Sequence, residues 1–265
     1  MTPRELARCL RVAVQAAQAG GEILRGRPRT GVAYGTKRHA ADLVTRFDRA
    51  SERAIHRIIR RHFPDHGVVG EEHARTHAEA PYQWMVDPLD GTTNFVHGVP
   101  LFAVSIGLVY RGRPIAGVIY DPSQRELYDA AHGLGARLNG RRMHVSQAKR
   151  LTDSLLSTGF SARFAEQPTP FLRWFRALES RVHAVRRMGS TAMSLAYIAA
   201  GRQDGFYEQD VWPWDIAAGM VLIEEAGGRV TDFSGRPVRL SSAPRQYELA
   251  ASNRWLHRRL LAHLT

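Results

Sequence analysis

Residues 84–100 of the chain read WMVDPLDGTTNFVHGVP. The apolar run Trp84–Val86 is typical of a buried strand, and two aspartates, Asp87 and Asp90, follow it. Pro88 predicts a bend that a continuing strand would not tolerate, so both carboxylates should emerge at one strand end. Two negative charges this close repel each other unless a cation or a proton intervenes. The stretch therefore indicates either a cation site or an acidic turn.

The residue types narrow the choice of cation. An EF-hand calcium loop starting at Asp87 would need Asp or Asn where Leu89 stands and Glu where Gly98 stands, so it is excluded. The single cysteine, Cys9, excludes a multi-cysteine zinc site and an intramolecular disulfide. Oxygen ligands favour Mg²⁺, Mn²⁺ or Ca²⁺ over zinc. An Asx turn, in which Asp87 and Asp90 cap backbone amides, explains the isolated DP and DG pairs as well.

Patterns on both sides of this stretch predict the first half of the fold. Helical spacing of apolar residues predicts a helix over the first 25 residues, with Cys9 on its apolar side, and a second helix from about Asp48 to Phe63. The glycine-rich, basic segment 26–40 between them predicts a loop. Strands separated by turns, including the NG pair at Asn139 and Gly140, predict an antiparallel meander. These strands cover residues 84–86, 102–109, 115–120 and 126–131.

The second half alternates between strand and helix patterns. Strands are predicted at 155–159, 182–186, 205–208, 230–232 and 248–251, and helices at 170–181, 191–200 and 214–226. Asn253 is the predicted cap of a last helix. The chain therefore predicts a layered α/β unit, with residues 1–150 as an N-terminal α+β half and residues 151–265 as a C-terminal α/β half of one compact unit.

Composition bounds the protein class. With 265 residues and 44% hydrophobic content, the chain can bury a sizeable core, so disorder is excluded. Charges at the N-terminus and the lack of a long apolar run predict a soluble, cytoplasmic protein. The formal charge of +12 could attract nucleic acid, acidic lipid or a phosphorylated substrate. The arginines are spread along the whole chain, which favours a solvated basic surface as the explanation of the charge.

Further acidic residues stand at the ends of predicted elements. Glu71 and Glu72 lie in VVGEEH, and Asp215 lies in VWPWDIAAG at the start of a predicted helix. Alone, the glutamates could be exposed loop charges and Asp215 a helix cap. Together, GEE at 70–72, DPLDGTTNF at 87–95, WDIAAG at 214–219 and EAGG at 225–228 resemble the inositol monophosphatase family. The resemblance covers nearly the whole chain and implies the αβαβα sandwich of the inositol monophosphatase and fructose-1,6-bisphosphatase type.

The resemblance implies a site for two or three Mg²⁺ ions. Its ligands would be Glu71, Asp87, the backbone carbonyl of Leu89, Asp90 and Asp215. This agrees with the chemistry of magnesium, which keeps several waters and accepts a few carboxylates plus substrate phosphate oxygens.

The implied reaction is hydrolysis of a phosphate monoester by in-line attack of water. The resemblance implies that Thr92 hydrogen-bonds the attacking water, that Asp48 orients Thr92, and that Glu71 helps to accept the proton. The backbone amides of Gly91 and Thr92 would meet the phosphate. A hydroxyl that caps the following turn is the alternative explanation of Thr92.

Substrate contacts follow from the same resemblance. Glu208 in FYEQD would contact substrate hydroxyls, and Gly189, Ser190 and Thr191 would line the polyol pocket. Lys37 stands at the position of a lysine near the metal site, although ordinary loop solubility explains it as well.

The expected activity is that of an inositol-1-monophosphatase, releasing myo-inositol and phosphate. After DGT this chain has Thr93, Asn94 and Phe95, the inositol phosphatase form. Related 3′-phosphoadenosine 5′-phosphate phosphatases tend to show KEF in these positions, and histidinol phosphatases tend to show RSF. Histidinol phosphatases also tend to carry Asp where this chain has Ser190. Histidinol phosphatase or fructose-1,6-bisphosphatase activity is the alternative, since Arg186 and Arg187 could meet a second phosphate. Lithium inhibition and a homodimer are expected from the family. A different alternative is docking to RNA or the transcription machinery through the basic surface, although no RNA-binding motif is visible.

Overall fold

The structure is a computed structural model that describes residues 1–28, 31–37, 42–72, 76–243 and 245–264. Helices and sheets alternate in five layers, so the predicted layered α/β sandwich is confirmed. No helix within these ranges is long and apolar enough to cross a membrane.

Two long helices form the outer layer of the first half. They are α1, Pro3–Arg25, and α2, Arg46–His62, and both were predicted. Helix α2 begins before Asp48 because the Thr45 hydroxyl accepts the Phe47 N–H at 3.0 Å and so caps its first turn. Cys9 is buried on the apolar face of α1, as expected.

A short hairpin joins the two helices. Strands β1 (Tyr34–Thr36) and β2 (Leu43–Thr45) pair in antiparallel fashion. The prediction of a loop throughout 26–40 is therefore wrong at 34–36, and its residues 29, 30 and 38–40 lie outside the described ranges. Strands this short show no periodicity, and the partner strand lies beyond the predicted loop, so the sequence pattern could not reveal them.

The larger sheet runs from one edge to the other in chain order. Its strands are β3 (Gly67–Gly70), β4 (Tyr82–Asp90), β5 (Ala103–Tyr110), β6 (Arg113–Asp121), β7 (Glu126–Ala131), β8 (Gly135–Leu138) and β9 (Arg141–Arg142), with helix α3 (Thr92–His97) after β4. Strands β4 to β9 form the predicted meander, and Asn139 and Gly140 make its last turn with positive φ. Strand β3 departs from the meander because it pairs with β4 in parallel.

The smaller sheet lies in the second half, within residues 155–253. Its elements are β10 (Leu155–Thr158), α4 (Pro168–Glu179), β11 (Ala184–Arg187), α5 (Thr191–Ala199), β12 (Gly205–Val211), α6 (Pro213–Glu225), β13 (Gly228–Thr231), β14 (Tyr247–Asn253) and α7 (His257–Leu261). The strand order is β11-β10-β12-β14-β13. Every element predicted for this half is present with slightly shifted bounds, while the division of the chain near Arg150 stays a prediction.

One predicted cap is wrong. Helix α7 has Leu256 as its N-cap, and the Asn253 side chain instead accepts the N–H groups of Trp255 and Leu256 at 3.1 and 3.0 Å. Asn253 therefore caps the turn before the helix, because an Asx side chain satisfies amides two and three residues ahead wherever the backbone turns.

Helices α5 and α6 fill the layer between the two sheets. Helix α6 approaches the larger sheet closely, since a Cβ atom added at Gly107 would lie 2.5 Å from the Cβ of Ala217. The hydroxyl of Ser105 on β5 also donates to the Trp214 carbonyl at 3.1 Å. This packing holds the first turn of α6 against the end of β4, where the aspartates of the opening stretch lie.

Candidate metal centre and substrate pocket

The two aspartates of the opening stretch lie at the irregular end of β4. The strand continues through Pro88, so the predicted break there is wrong, but its pairing with β5 shifts register between Asp87 and Asp90. The irregularity acts as a bulge, which lets the strand absorb a residue without a backbone donor. The Asp87 carboxylate accepts the Leu89 N–H at 2.9 Å, so the Asx-turn explanation holds for this residue beside any metal role.

Asp90 joins the two halves of the molecule. Its carboxylate accepts the hydroxyl of Ser190 and the N–H groups of Ala192 and Thr191, the latter two at 2.8 and 3.3 Å. It therefore lies at the N-terminus of α5, where the helix dipole favours negative charge. Burial nevertheless raises the pKa of Asp90 to about 6, although these hydrogen bonds oppose the shift.

Glu71 follows β3 and faces a lysine. Its backbone N–H donates to the Val86 carbonyl at 3.2 Å, which ties the GEE turn to β4. The Lys37 ammonium donates to Glu71 at 2.7 Å and also to Glu72. Lys37 is only 15% exposed, so it lies inside the site and is not a mere solubilising loop charge. Burial raises the pKa of Glu71, and the Lys37 charge opposes that rise.

Asp215 comes from the first turn of α6. Its carboxylate accepts the Trp212 N–H at 2.8 Å, so the helix-cap explanation of this residue also holds. Burial raises the pKa of Asp215 well above its ordinary value, and the charges of Asp90 and Glu71 raise it further. The pKa of Asp87 is also raised well above its ordinary value, first by burial and then by the charges of Glu71, Asp90 and Asp215. The four carboxylates therefore form one electrostatic group.

The chemistry of this group fits a hard divalent cation. Its donors are carboxylate oxygens, burial disfavours their charged forms, and their mutual repulsion adds to the effect, so a bound cation would offset both. Among the described residues, no group of three or more acidic, histidine or cysteine side chains is already arranged to hold a metal ion. Glu71 instead contacts Lys37, Asp90 contacts α5 and Asp215 contacts Trp212.

Thr92 and Asp48 are in contact, as the resemblance implied. The Thr92 hydroxyl lies 3.1 Å from Asp48 and 3.0 Å from the Leu89 carbonyl, and its one proton can be donated to either acceptor. Asp48 is fully buried and accepts both the N–H and the hydroxyl of Thr45, at 2.8 and 2.6 Å. Burial raises the pKa of Asp48 against these hydrogen bonds. Thr45 thus holds the carboxylate in the orientation that meets Thr92.

A polar cavity of about 340 Å³ opens beside Asp90. The predicted polyol-pocket residues line it, namely Gly189, Ser190, Thr191 and Glu208, and Arg187 lies at its rim. Glu208 accepts the Thr191 hydroxyl at 2.9 Å, and burial raises the pKa of this carboxylate to about 7. Arg187 is exposed and stacks over Phe160, with its guanidinium carbon 5.5 Å from the ring centroid.

Gly91, which the resemblance placed against the phosphate, precedes α3 with a φ of 91°. Glycine adopts this left-handed conformation without strain, and a Cβ atom here would lie 3.1 Å from the Leu101 carbonyl oxygen. Because Gly91 directly follows Asp90 in the chain, this left-handed turn begins beside that residue.

Three residues of the site escaped the sequence analysis or received another role. Asn94, used only to distinguish family members, donates to the carbonyls of Leu101 and Met188 at 2.8 and 2.9 Å and so fixes the pocket wall. Gly159 leaves the space that Glu208 fills, since a Cβ there would lie 2.0 Å from the carboxylate. Glu52 contacts the GEE turn. Its signal was an acidic residue one helical turn after Asp48 in an arginine-rich helix.

Comparison with known proteins first identifies the class of protein, which is that of phosphatases with a layered α/β fold. The profile described as "Inositol monophosphatase family" matches residues 5–265. The chain belongs to the inositol monophosphatase family, whose members are in general Mg²⁺-dependent phosphatases.

Individual relatives carry two kinds of name. A Pseudomonas aeruginosa protein named Nus factor SuhB is 44% identical over 232 residues, which cover 85% of this chain and 86% of that protein. The structure of inositol monophosphatase from Anabaena (Nostoc) sp. PCC 7120 matches with a TM-score of 0.88 and 41% identity, covering 98% of this chain and 96% of the other. Extragenic suppressor protein suhB from Bartonella henselae matches with a TM-score of 0.88 and 37% identity, covering 97% and 98%.

Proposed function

We propose that this protein is a Mg²⁺-dependent phosphate monoester hydrolase whose preferred substrate is inositol 1-phosphate. The observation that carries the proposal is the electrostatic group of four carboxylates, Glu71, Asp87, Asp90 and Asp215, all with raised pKa values. Asp87 and Asp90 are buried, and Asp90 also lines the polar cavity. Carboxylates that raise one another's pKa values are costly for stability, so their convergence beside a cavity-lining residue points to a cationic ligand. With the Leu89 carbonyl they would hold two or three Mg²⁺ ions.

Bound Mg²⁺ would supply positive charge that acidifies a water molecule and offsets the negative charge on the leaving oxygen. The protein's own part is positioning. When the Thr92 hydroxyl donates its hydrogen bond to Asp48, its lone pairs are free to accept a hydrogen bond from the attacking water and so aim the water at phosphorus. Glu71 would accept the proton that the water loses. The backbone amides of Gly91 and Thr92 would bind phosphate oxygens.

The cavity favours a small polyol over a larger ester. A volume of about 340 Å³ admits one sugar-sized ring, and the Glu208 carboxylate can accept hydrogen bonds from ring hydroxyls. The inositol monophosphatases among the structural relatives support this substrate. Arg187 is the residue that would meet a second phosphate in fructose 1,6-bisphosphate, and its stacking on Phe160 leaves its charge at the rim.

A phosphate-release panel tests the proposal. Inositol 1-phosphate should be hydrolysed with Mg²⁺ faster than histidinol phosphate, fructose 1,6-bisphosphate or phosphoadenosine phosphate, and Li⁺ should inhibit the reaction. Asp215→Asn should abolish turnover, whereas the matched exposed change Asp153→Asn should leave it intact, because Asp153 contacts its surface neighbours Arg150 and Thr152. Activity that survives chelation, or an active Asp215→Asn enzyme, would refute the metal mechanism. Light scattering tests the expected homodimer.

A second candidate function, RNA binding, is favoured by the outer face of α2. Both acidic residues of this helix, Asp48 and Glu52, are buried. Its exposed charged residues are all arginines, at positions 46, 49, 53, 57 and 61. They follow one another at helical spacing over about 22 Å, a stripe that suits successive phosphates of a nucleic acid. The Pseudomonas relative's name, Nus factor, supports a transcription-related role beside the hydrolase.

Binding to structured RNA as a function of salt tests this second candidate. Replacing arginines 49, 53 and 57 by glutamine should weaken binding. It should also reduce the slope of log binding constant against log salt concentration by about three, one for each charge removed. The matched control replaces the exposed arginines 141, 258 and 259, which removes equal charge elsewhere. Equal losses in both triple variants would mean non-specific attraction, and no binding at low salt would remove the candidate.

A further inference from the structure

A buried carboxylate on α2, Glu52, lies beneath the turn that carries Glu71. Glu52 is 3% exposed and lies one helical turn after Asp48, so both side chains project from the same face of the helix. The Glu52 carboxylate accepts the backbone N–H of Glu72 at 3.1 Å. Helix α2 therefore contacts the metal centre twice, through Asp48 at Thr92 and through Glu52 at the GEE turn.

Gly70 provides the space for this contact. A Cβ atom added at Gly70 would lie 1.9 Å from the Glu52 Oε1 atom and 2.9 Å from its Cδ atom. Gly70 is not among the glycines with positive φ, so the backbone would tolerate another residue and only the space forbids it. A side chain at this position would push the carboxylate away from the Glu72 amide.

The turn is anchored on both sides of the Glu71 side chain. On one side the Glu71 N–H donates to the Val86 carbonyl at 3.2 Å, and on the other the Glu72 N–H donates to Glu52. With both peptide groups held, the direction of the Glu71 side chain is set relative to Asp87 on the neighbouring strand. Without the second anchor, the Glu71–Glu72 peptide can rotate.

We infer that Glu52 is a positioning residue for Glu71, and that Gly70 is required because Glu52 occupies the space above it. The inference rests on the proposed metal-dependent function, since it concerns how Glu71 is presented to a cation. Residues that orient metal ligands typically alter metal affinity by about 10- to 100-fold when replaced. Glu52 does not touch substrate or the reacting atoms, so its effect passes through the GEE turn.

Metal affinity of the intact protein is the direct test, measured by isothermal titration with Mg²⁺ and with Mn²⁺. Glu52→Ala and Gly70→Ala should each weaken binding by about tenfold or more. Glu52→Gln retains an oxygen acceptor for the Glu72 N–H and should keep most of the affinity. The double variant should bind no worse than Glu52→Ala alone, because the clash disappears with the carboxylate. Hydrogen exchange of the Glu72 amide in metal-free protein should quicken in Glu52→Ala.

Controls separate the inference from a general loss of stability and from the proposed function. Ile55→Val removes one buried methylene from the same helix face and should leave metal affinity unchanged. If the wild-type protein binds neither metal, the proposed function fails. If it binds metal and Glu52→Ala binds equally well, or Ile55→Val loses as much affinity, the inference is overturned. If Glu52→Ala does not fold, the metal affinities of Glu52→Gln and Gly70→Ala are compared instead. Equal affinity in these two variants would overturn the inference.

Discussion

Replacing Asp90 by Asn should raise the stability of the metal-free protein while destroying its metal site. Asp90 is buried, with 9% exposure, and its pKa is raised to about 6 from an ordinary 3.8. A carboxylate whose folded-state pKa is raised destabilises the fold above that pKa, because the unfolded chain ionises more easily. The penalty is small near pH 4 and complete above about pH 7.

The size of the effect follows from the shift. A rise of about two units corresponds to about 3 kcal/mol at pH 8 and to about half of that at pH 5. An Asn oxygen in place of Oδ2 keeps the bonds from Ser190 and Ala192, and the amide nitrogen then faces only the longer contact with the Thr191 N–H, at a cost of about 1 kcal/mol. The net gain is about 2 kcal/mol at pH 8. For 265 residues this raises Tm by about 4 °C.

Thermal unfolding followed by circular dichroism in a chelator checks this expectation. Asp90→Asn should melt about 4 °C above wild type at pH 8 and about 1 °C above it at pH 5. With saturating Mg²⁺ the order should reverse, because only the wild type gains binding energy. Asp153→Asn, an exposed change, should shift Tm little at either pH. A variant no more stable than wild type at pH 8, or equally stabilised at both pH values, would refute the reasoning.

Three further outcomes are expected. Gly159→Ala should raise KM for inositol 1-phosphate about tenfold in steady-state kinetics, because the new Cβ lies 2.0 Å from the Glu208 carboxylate; an unchanged KM would contradict that role of Glu208. Asn94→Ala leaves two carbonyls without their donor and should lower the free energy of unfolding in urea by about 2 kcal/mol or more, with no recovery in Asn94→Asp, which cannot donate. Burial lowers the pKa of His257 to about 4, so the stability that its neutral form contributes is complete above about pH 6.5 and declines as pH falls. The free energy of unfolding should fall by about 2 kcal/mol between pH 7.5 and pH 5. In His257→Gln the fall over the same pH range should be smaller.

Local patterns sufficed for most elements of the fold. The helices α1 and α2, the meander from β4 to β9 and the alternation of the second half follow from periodicity, turn residues and caps, which act over a few residues. The parallel pairing of β3 with β4, and the hairpin of β1 and β2, depend on partners distant in the sequence or on strands too short to show a period. Pro88 misled because a bulge can absorb it inside a strand.

The candidate site was predictable to the extent that motif residues could be matched one by one. Residue types alone could not decide whether Asp87 and Asp90 form a cation site or an Asx turn. The resemblance to a family was needed to add Glu71 and Asp215 to the site. The supporting residues were harder to find. Gly159 and Asn94 act through atoms of residues far along the chain, so nothing in their local sequence shows the contact.

The bonds of Asp90 also have a consequence for how the protein is made. Its partner Ser190 lies 100 residues later in the chain, and Asp215 follows later still. When a ribosome has translated only the first half, Glu71, Asp87 and Asp90 have been made but the helix terminus that receives Asp90 has not. A nascent chain therefore acquires its full set of carboxylates only near the end of translation, and hydrolytic activity should appear late and all at once.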